Sequence, residues 1–187
     1  MKIKKNLWIW VVIGVIVLVG IIFLSGNLRQ QEDLTNENKN QETMSWINTE
    51  LKNIRTEENF KISDFRGKPV LVESFAVWCP TCKKQQNEIK KLHEEVGDSV
   101  VSIALDTDPN EDETKILNHI QENGFNWYYA VSPIEMTQSL ISEFGNGIIS
   151  APSAPMILIC EDGSYRKLGG SGSRSVEELK EELERGC

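Results

Sequence analysis

The stretch KPVLVESFAV, residues 68–77, constrains this chain more than any other. Its apolar residues do not alternate with polar ones, as they would on a strand with one wet face. A strand that reads this way is covered on both sides, which calls for a sheet with helices above and below it. The stretch runs directly into CPTCKKQQNEIKKLHEEV, residues 79–96, where Cys82, Ile89, Leu92 and Val96 fall on one helical stripe. Two cysteines therefore stand where a buried strand turns into a helix.

The same alternation continues along the chain. SVVSIAL predicts a second buried strand, ending at the polar turn DTDPN. A helix follows around residues 112–123, with Ile116, Leu117 and Ile120 as its apolar face and Gly124 as its stop. WYYAV predicts a short strand, and Ile134 to Phe144 a helix using Leu140, Ile141 and Phe144. MILIC is a strand, EDGS a turn and YRKL the hairpin partner. A last helix opens with the capping box Ser175-Val-Glu-Glu178 and buries Val176, Leu179 and Leu183. Upstream, Trp46, Ile47, Leu51 and Ile54 stand at helical spacing and predict one helix through MSWINTELKNI. Strands alternating with helices, closed by a hairpin and a helix, give an α/β domain with a mixed central sheet over residues 44–187.

The amino terminus is of another kind. Leu7 to Leu24 is an uninterrupted apolar run of 18 residues. As a helix it spans about 27 Å, close to the roughly 30 Å of a bilayer's hydrocarbon core. Lys2, Lys4 and Lys5 precede it, and Trp8 and Trp10 sit where indoles favour the membrane interface. The expectation is a single retained transmembrane helix at residues 7–24, with residues 1–6 cytoplasmic, and lipid bilayer as a partner. The run is longer than a usual signal core, and FLSGN is a poor cleavage site. Residues 25–43 are polar and read as a flexible stalk, which leaves the domain beyond it extracytoplasmic. Once the three lysines of the first 26 residues are set aside, 17 basic residues face 28 acidic ones, a balance of −11. Such a domain repels phosphate backbones, so nucleic acid is excluded as a partner.

Three readings compete for Cys79 and Cys82. A structural zinc site needs four ligands, and Cys160, Cys187, His93 and His119 are not paired at ligand spacing. A structural disulfide closing so short a loop stabilises weakly. Redox chemistry fits best, because the attacking species is the thiolate and a helix start favours the anion. Cys79 falls at that start, followed by Pro80, which lacks the N–H that would be unsatisfied there. Cys82, one turn on, shares the stripe of Ile89 and faces inward. Cys79 is thus the expected exposed nucleophile and Cys82 the shielded resolving thiol.

Glu73 is the only charge between Pro69 and Thr81, in the middle of a strand that otherwise looks buried. In the interior it titrates abnormally and serves as general base toward Cys82. The alternative is an edge or bulge position from which it reaches solvent. Cys160 is expected to be an inert core thiol and Cys187 a mobile one, while His93 and His119 are placed on polar helix faces without a role.

WCPTC between a strand and a helix resembles the thioredoxin superfamily, and within it the membrane-anchored, extracytoplasmic proteins of the TlpA/ResA type. The resemblance covers roughly residues 60–184. It implies a thioredoxin-like fold, a catalytic acid at Glu73, six residues before the first cysteine, and a shielding role for Trp78. It also implies a cis-proline facing the cysteines at Pro155, with Ala154 offering backbone groups to a bound peptide. Met156 departs from the threonine usual after that proline, and Glu73 from the commoner Asn or Asp. The segment DTDPNEDETKILNHIQENGFN resembles the insertion of that subgroup. The implied activity is thiol–disulfide exchange on protein disulfides or dithiols, without a bound cofactor or metal. The resemblance also implies a second protein as electron donor or acceptor, with a membrane-embedded one among the candidates. Two other readings stand beside it: a copper(I)-handling module, because soft thiolates suit that ion, and a non-catalytic binding module that keeps the fold.

Overall fold

A computed structural model describes residues 45–187. The expected cytoplasmic segment, transmembrane anchor and stalk lie outside the described residues. Among the described residues no helix is long and apolar enough to cross a membrane.

The strand that opened the argument is β3 (Val70–Phe75), and all six of its residues are buried. It is the middle of a five-stranded sheet of order β5-β4-β3-β6-β7, made with β4 (Val101–Asp106), β5 (Tyr128–Val131), β6 (Met156–Ile159) and β7 (Tyr165–Lys167). β3, β4 and β5 run parallel; β6 is antiparallel to β3, and β7 to β6. Parallel neighbours need crossovers. α2 (Pro80–Val96) joins β3 to β4, and α3 (Glu113–Asn123) joins β4 to β5. α4 (Ile134–Phe144) leads back toward β6, and α5 (Val176–Arg185) follows the hairpin.

The two-residue period of the strands divides the interior. Leu71, Phe75, Ala104, Tyr129, Met156 and Leu158 pack with Ile89 and Leu92 of α2, Ile116 and Ile120 of α3 and Leu179 of α5. Val70, Val72, Ile103, Leu105, Ile157 and Ile159 pack on the other side with Trp46 and with Met136 and Leu140 of α4. Two apolar faces on one sheet explain why β3 shows no polar alternation. Glu73 shares the period of Leu71 and Phe75, and so its side chain lies on the α2 face.

The helix expected through Ile54 stops early. α1 covers only Ser45–Asn48, and Leu51–Lys52 is β1, paired antiparallel with β2 (Asn59–Phe60). The Ile54 N–H donates to Tyr129 O at 2.8 Å, so this segment lies against edge strand β5. Trp46, Ile47, Leu51 and Ile54 are all buried. Their spacing reported burial, and tertiary hydrogen bonds chose the conformation.

The cysteines outside the motif also differ from expectation. Cys160 and Cys187 form a disulfide, 27 residues apart in the chain. The end of α5 is held on the hairpin by Arg166, which donates to Gly186 O at 2.7 Å and pairs with Glu182 at 2.6 Å. That brings the two cysteine Cα atoms to 5.9 Å, which is bridging distance. Cys160 is therefore not an inert thiol, and Cys187 is not free.

Candidate active site

Cys79 is the N-cap of α2, with extended backbone, and Pro80 is the first helical residue. The Cys82 N–H points at Cys79 Sγ, 3.1 Å away. One of the orphan donors of the helix start thus serves the sulfur itself, and a thiolate there gains this bond along with the positive end of the helix dipole. Cys79 and Cys82 are joined as a disulfide.

Cys82 is fully buried, as the helical stripe implied, but Cys79 is only 1% exposed. The expected exposure of the nucleophile is not found. The reason lies in the 3₁₀ turn Ala151–Ser153, packed over the start of α2. The Ala151 carbonyl oxygen lies 3.2 Å from Cys79 Sγ and 3.0 Å from Cys82 Sγ. In the dithiol form that oxygen accepts an S–H from either residue.

Trp78, to which the resemblance gives a shielding role, is 58% exposed. Its indole N–H donates to Asp108 Oδ2 at 2.5 Å, and the Val77 N–H donates to Glu111 Oε2 at 2.7 Å. The acidic loop after β4 therefore holds the backbone just before Cys79. The Trp78 bond is the main reason that Asp108 stays below the usual carboxylate range. Asp106, at the end of β4, is pushed up to about 7 by burial. A groove of about 250 Å³ opens here, lined by Trp78, Asp108, Pro109, Ile149, Ala151 and Pro152.

Pro155 stands between the residue that caps this turn and the start of β6, but no described peptide bond is cis. Ala154 takes a left-handed conformation, φ 43°, and its N–H donates to Ala151 O at 2.8 Å. Pro155 O accepts the Ser74 N–H at 3.2 Å. The expected cis bond is thus replaced by a left-handed residue that closes the 3₁₀ turn. The Ala154 donor is used internally and is not offered to a peptide.

Glu73 is 1% exposed, and neither carboxylate oxygen has a hydrogen-bond partner. Of the two positions the sequence allowed, the interior one is occupied. Burial pushes its carboxyl up to about 8, countered in part by the Gln86 amide, which stops short of hydrogen-bonding geometry. The strand register sets its neighbours: Glu73 is level with Ala104 and Met156, and Ala104 with Tyr129. Because Ala104 is small, Tyr129 and Glu73 sense each other across it. The Tyr129 hydroxyl has no partner and is held well above its ordinary range, first by burial and then by Glu73.

Sequence reasoning missed two members of this site. Gln86 follows Cys82 by four residues, so the stripe through Cys82 and Ile89 passes over it, and it is fully buried. His119 is not on a polar face. It is 6% exposed, bonded to Gln86 and stacked on Phe75. His93, also expected to be idle, is half-buried, with Nε2 2.9 Å from Ser102 Oγ and its ring stacked on Trp127.

Comparison with known proteins agrees with this geometry. The chain is 28% identical over 188 residues to the thiol-disulfide oxidoreductase ResA of Bacillus thuringiensis subsp. konkukian, covering 97% of this chain and 98% of that protein. A thiol:disulfide interchange protein of the thioredoxin family from Chlorobium tepidum superposes with a TM-score of 0.60 at 18% identity, over 74% of this chain and 92% of that one. A secreted disulfide oxidoreductase from Mycobacterium tuberculosis gives a TM-score of 0.60 at 13% identity, over 75% and 97%. Both structures share the thioredoxin-like α/β fold, a mixed sheet with flanking helices. The redoxin family profile matches residues 45–183. This chain therefore belongs to the redoxin family, as a ResA-like thiol–disulfide oxidoreductase with the CXXC pair Cys79–Cys82.

Proposed function

We propose that this protein is a membrane-tethered oxidoreductase that exchanges disulfides with other proteins outside the cytoplasm. In the reducing direction the Cys79 thiolate attacks a substrate disulfide. One substrate sulfur leaves as a thiolate, and the other stays bound to Cys79 as a mixed disulfide. Glu73 accepts the proton of Cys82; the Cys82 thiolate then attacks Cys79 Sγ and releases the second substrate thiol. Two electrons pass to the substrate, and the Cys79–Cys82 disulfide is the oxidised product. The reverse sequence oxidises a dithiol. Trp78 is the substrate-facing residue of this reading, in the groove that ends at Ala151, while Ala154 and Pro155, both buried, set the turn that borders it.

The observation that carries it is the pairing of Cys79 Sγ with the Cys82 N–H at the start of α2, on the sheet face that buries Glu73. The Cys160–Cys187 bond supports the compartment, since stable structural disulfides belong to oxidising environments. The apolar run Leu7–Leu24 supports the tether.

The test is Cys82→Ser expressed in cells that carry the full chain. Attack through Cys79 without a resolving thiol accumulates protein-sized adducts that dithiothreitol releases, in the membrane fraction. Cys79→Ser forms none. Equal adduct yields from the two variants would overturn the assignment of roles.

A further inference from the structure

A chain of buried polar groups runs from Glu73 through α2 to α3, and the reaction as written uses only its first member. Gln86 lies one helical turn beyond Cys82, on the same face. His119 Nε2 is 2.6 Å from Gln86 Oε1. An amide oxygen only accepts, so His119 carries its proton on Nε2 and donates. Asn123 Nδ2, 3.5 Å from Nδ1 and donating to His119 O at 2.7 Å, suits that tautomer. Phe75 stacks on the ring at 6.0 Å, and Phe125 meets it edge-on at 5.5 Å. The histidine is therefore locked, and it locks the amide. With its oxygen taken, Gln86 must turn its NH₂ group elsewhere, and that nitrogen has no partner. Neither do the oxygens of Glu73.

We propose that His119 is a positioning residue for thiol–disulfide exchange: its Nε2–H holds the Gln86 carboxamide with the NH₂ end toward Glu73, so that the carboxylate has a donor when it takes the proton of Cys82. The inference rests on Glu73 being the base. Without His119 the amide is free to rotate and present its oxygen, which accepts from the acid form and repels the carboxylate. The other groups that bear on the pair are few. Tyr129 faces Glu73 from β5, while Lys83 of α2 and Glu122 of α3 act on His119. Burial is the main reason that His119 sits below its usual range, and it stays a neutral donor at neutral pH.

His119→Phe keeps the ring between Phe75 and Phe125 and removes only the donor. Its effect is read in the oxidised full-length protein, where neither Cys79 nor Cys82 titrates. The probe is the Glu73 carboxyl infrared band, isolated as the difference from Glu73→Gln. The expected result is a midpoint moved about tenfold in proton concentration toward alkaline pH, the size of one lost donor to a charged group. Gln86→Leu moves it the same way, the double variant moves it no further, and His119→Gln, which retains a donor, restores it. An unmoved midpoint in both His119→Phe and Gln86→Leu, or shifts that add in the double variant, overturns the proposal. Failure of the underlying reading looks different: Glu73→Gln would then resolve mixed disulfides at the wild-type rate, wherever the midpoint of His119→Phe lies.

Discussion

Glu73→Gln should change how stability depends on pH, in a window that the structure names. In the unfolded chain this carboxyl ionises near 4.5, whereas burial holds it protonated in the native state to about 8. Between those values the native state carries a proton that the unfolded state has lost. The contribution of Glu73 is therefore fully present below about pH 4.5, declines as pH rises toward 8, and is flat above. At roughly 1.4 kcal/mol per tenfold step in proton concentration, the whole window amounts to something on the order of 5 kcal/mol. That is a large share of the 5–15 kcal/mol that typically holds a domain of this size. Urea unfolding of the oxidised protein at a series of pH values measures it without interference from Cys79 or Cys82. Asp106, raised to about 7, adds a second decline weighted to lower pH, so Glu73 carries most of the slope between pH 7 and 8. The wild type should lose stability steeply there, and Glu73→Gln should not. The absolute stability of the variant is less informative, because its carboxamide also lacks partners. A wild-type slope retained in Glu73→Gln between pH 7 and 8 would refute the claim that Glu73 is protonated in the native interior.

Asp106→Asn should remove the part of the pH dependence between about 4 and 7 and leave the steeper end, in the same urea series. Replacing Cys160 and Cys187 together by Ala should cost about 3–4 kcal/mol by the loop-closure estimate for their separation, and should leave disulfide exchange at Cys79 intact. Ser175→Ala removes the N-cap of α5, where Ser175 and Glu178 each accept the other's backbone N–H. A loss of about 1 kcal/mol in thermal or urea unfolding is expected, with no change in activity. In the reduced enzyme, Glu73→Gln should slow resolution of the mixed disulfide at pH 7 by about 100-fold, as loss of a general base does.

Much of the site was open to reading because it is local. Strand, cap, proline and helix follow one another within residues 70–96, and each is recognised by its own period or end signal. Glu73 stood out because a lone charge in a two-sided apolar strand has few explanations. Gln86 carried the same kind of signal, a polar residue on the stripe of Cys82, but it holds no charge and so is less conspicuous. His119 was read from its polar neighbours in the sequence, and that reading fails because α3 turns the imidazole under α2, where Gln86 supplies the missing partner. The helix through Leu51 failed for a related reason: two periods fitted four apolar residues, and pairing with β2 selected one.

Periodicity and end signals alone determined the alternation of strands and helices, the double-faced burial of β3 and the place of Cys79 at a helix mouth. Those follow from each residue's own neighbours, a few positions away. Tertiary structure decided that Cys160 meets Cys187, that Ala151 lies over both sulfurs, that the Ala154–Pro155 bond is trans, and that His119 reaches Gln86. The contacts among them join segments 27 to 72 residues apart. Which distant groups become neighbours depends on how whole elements pack, and no local pattern carries that information.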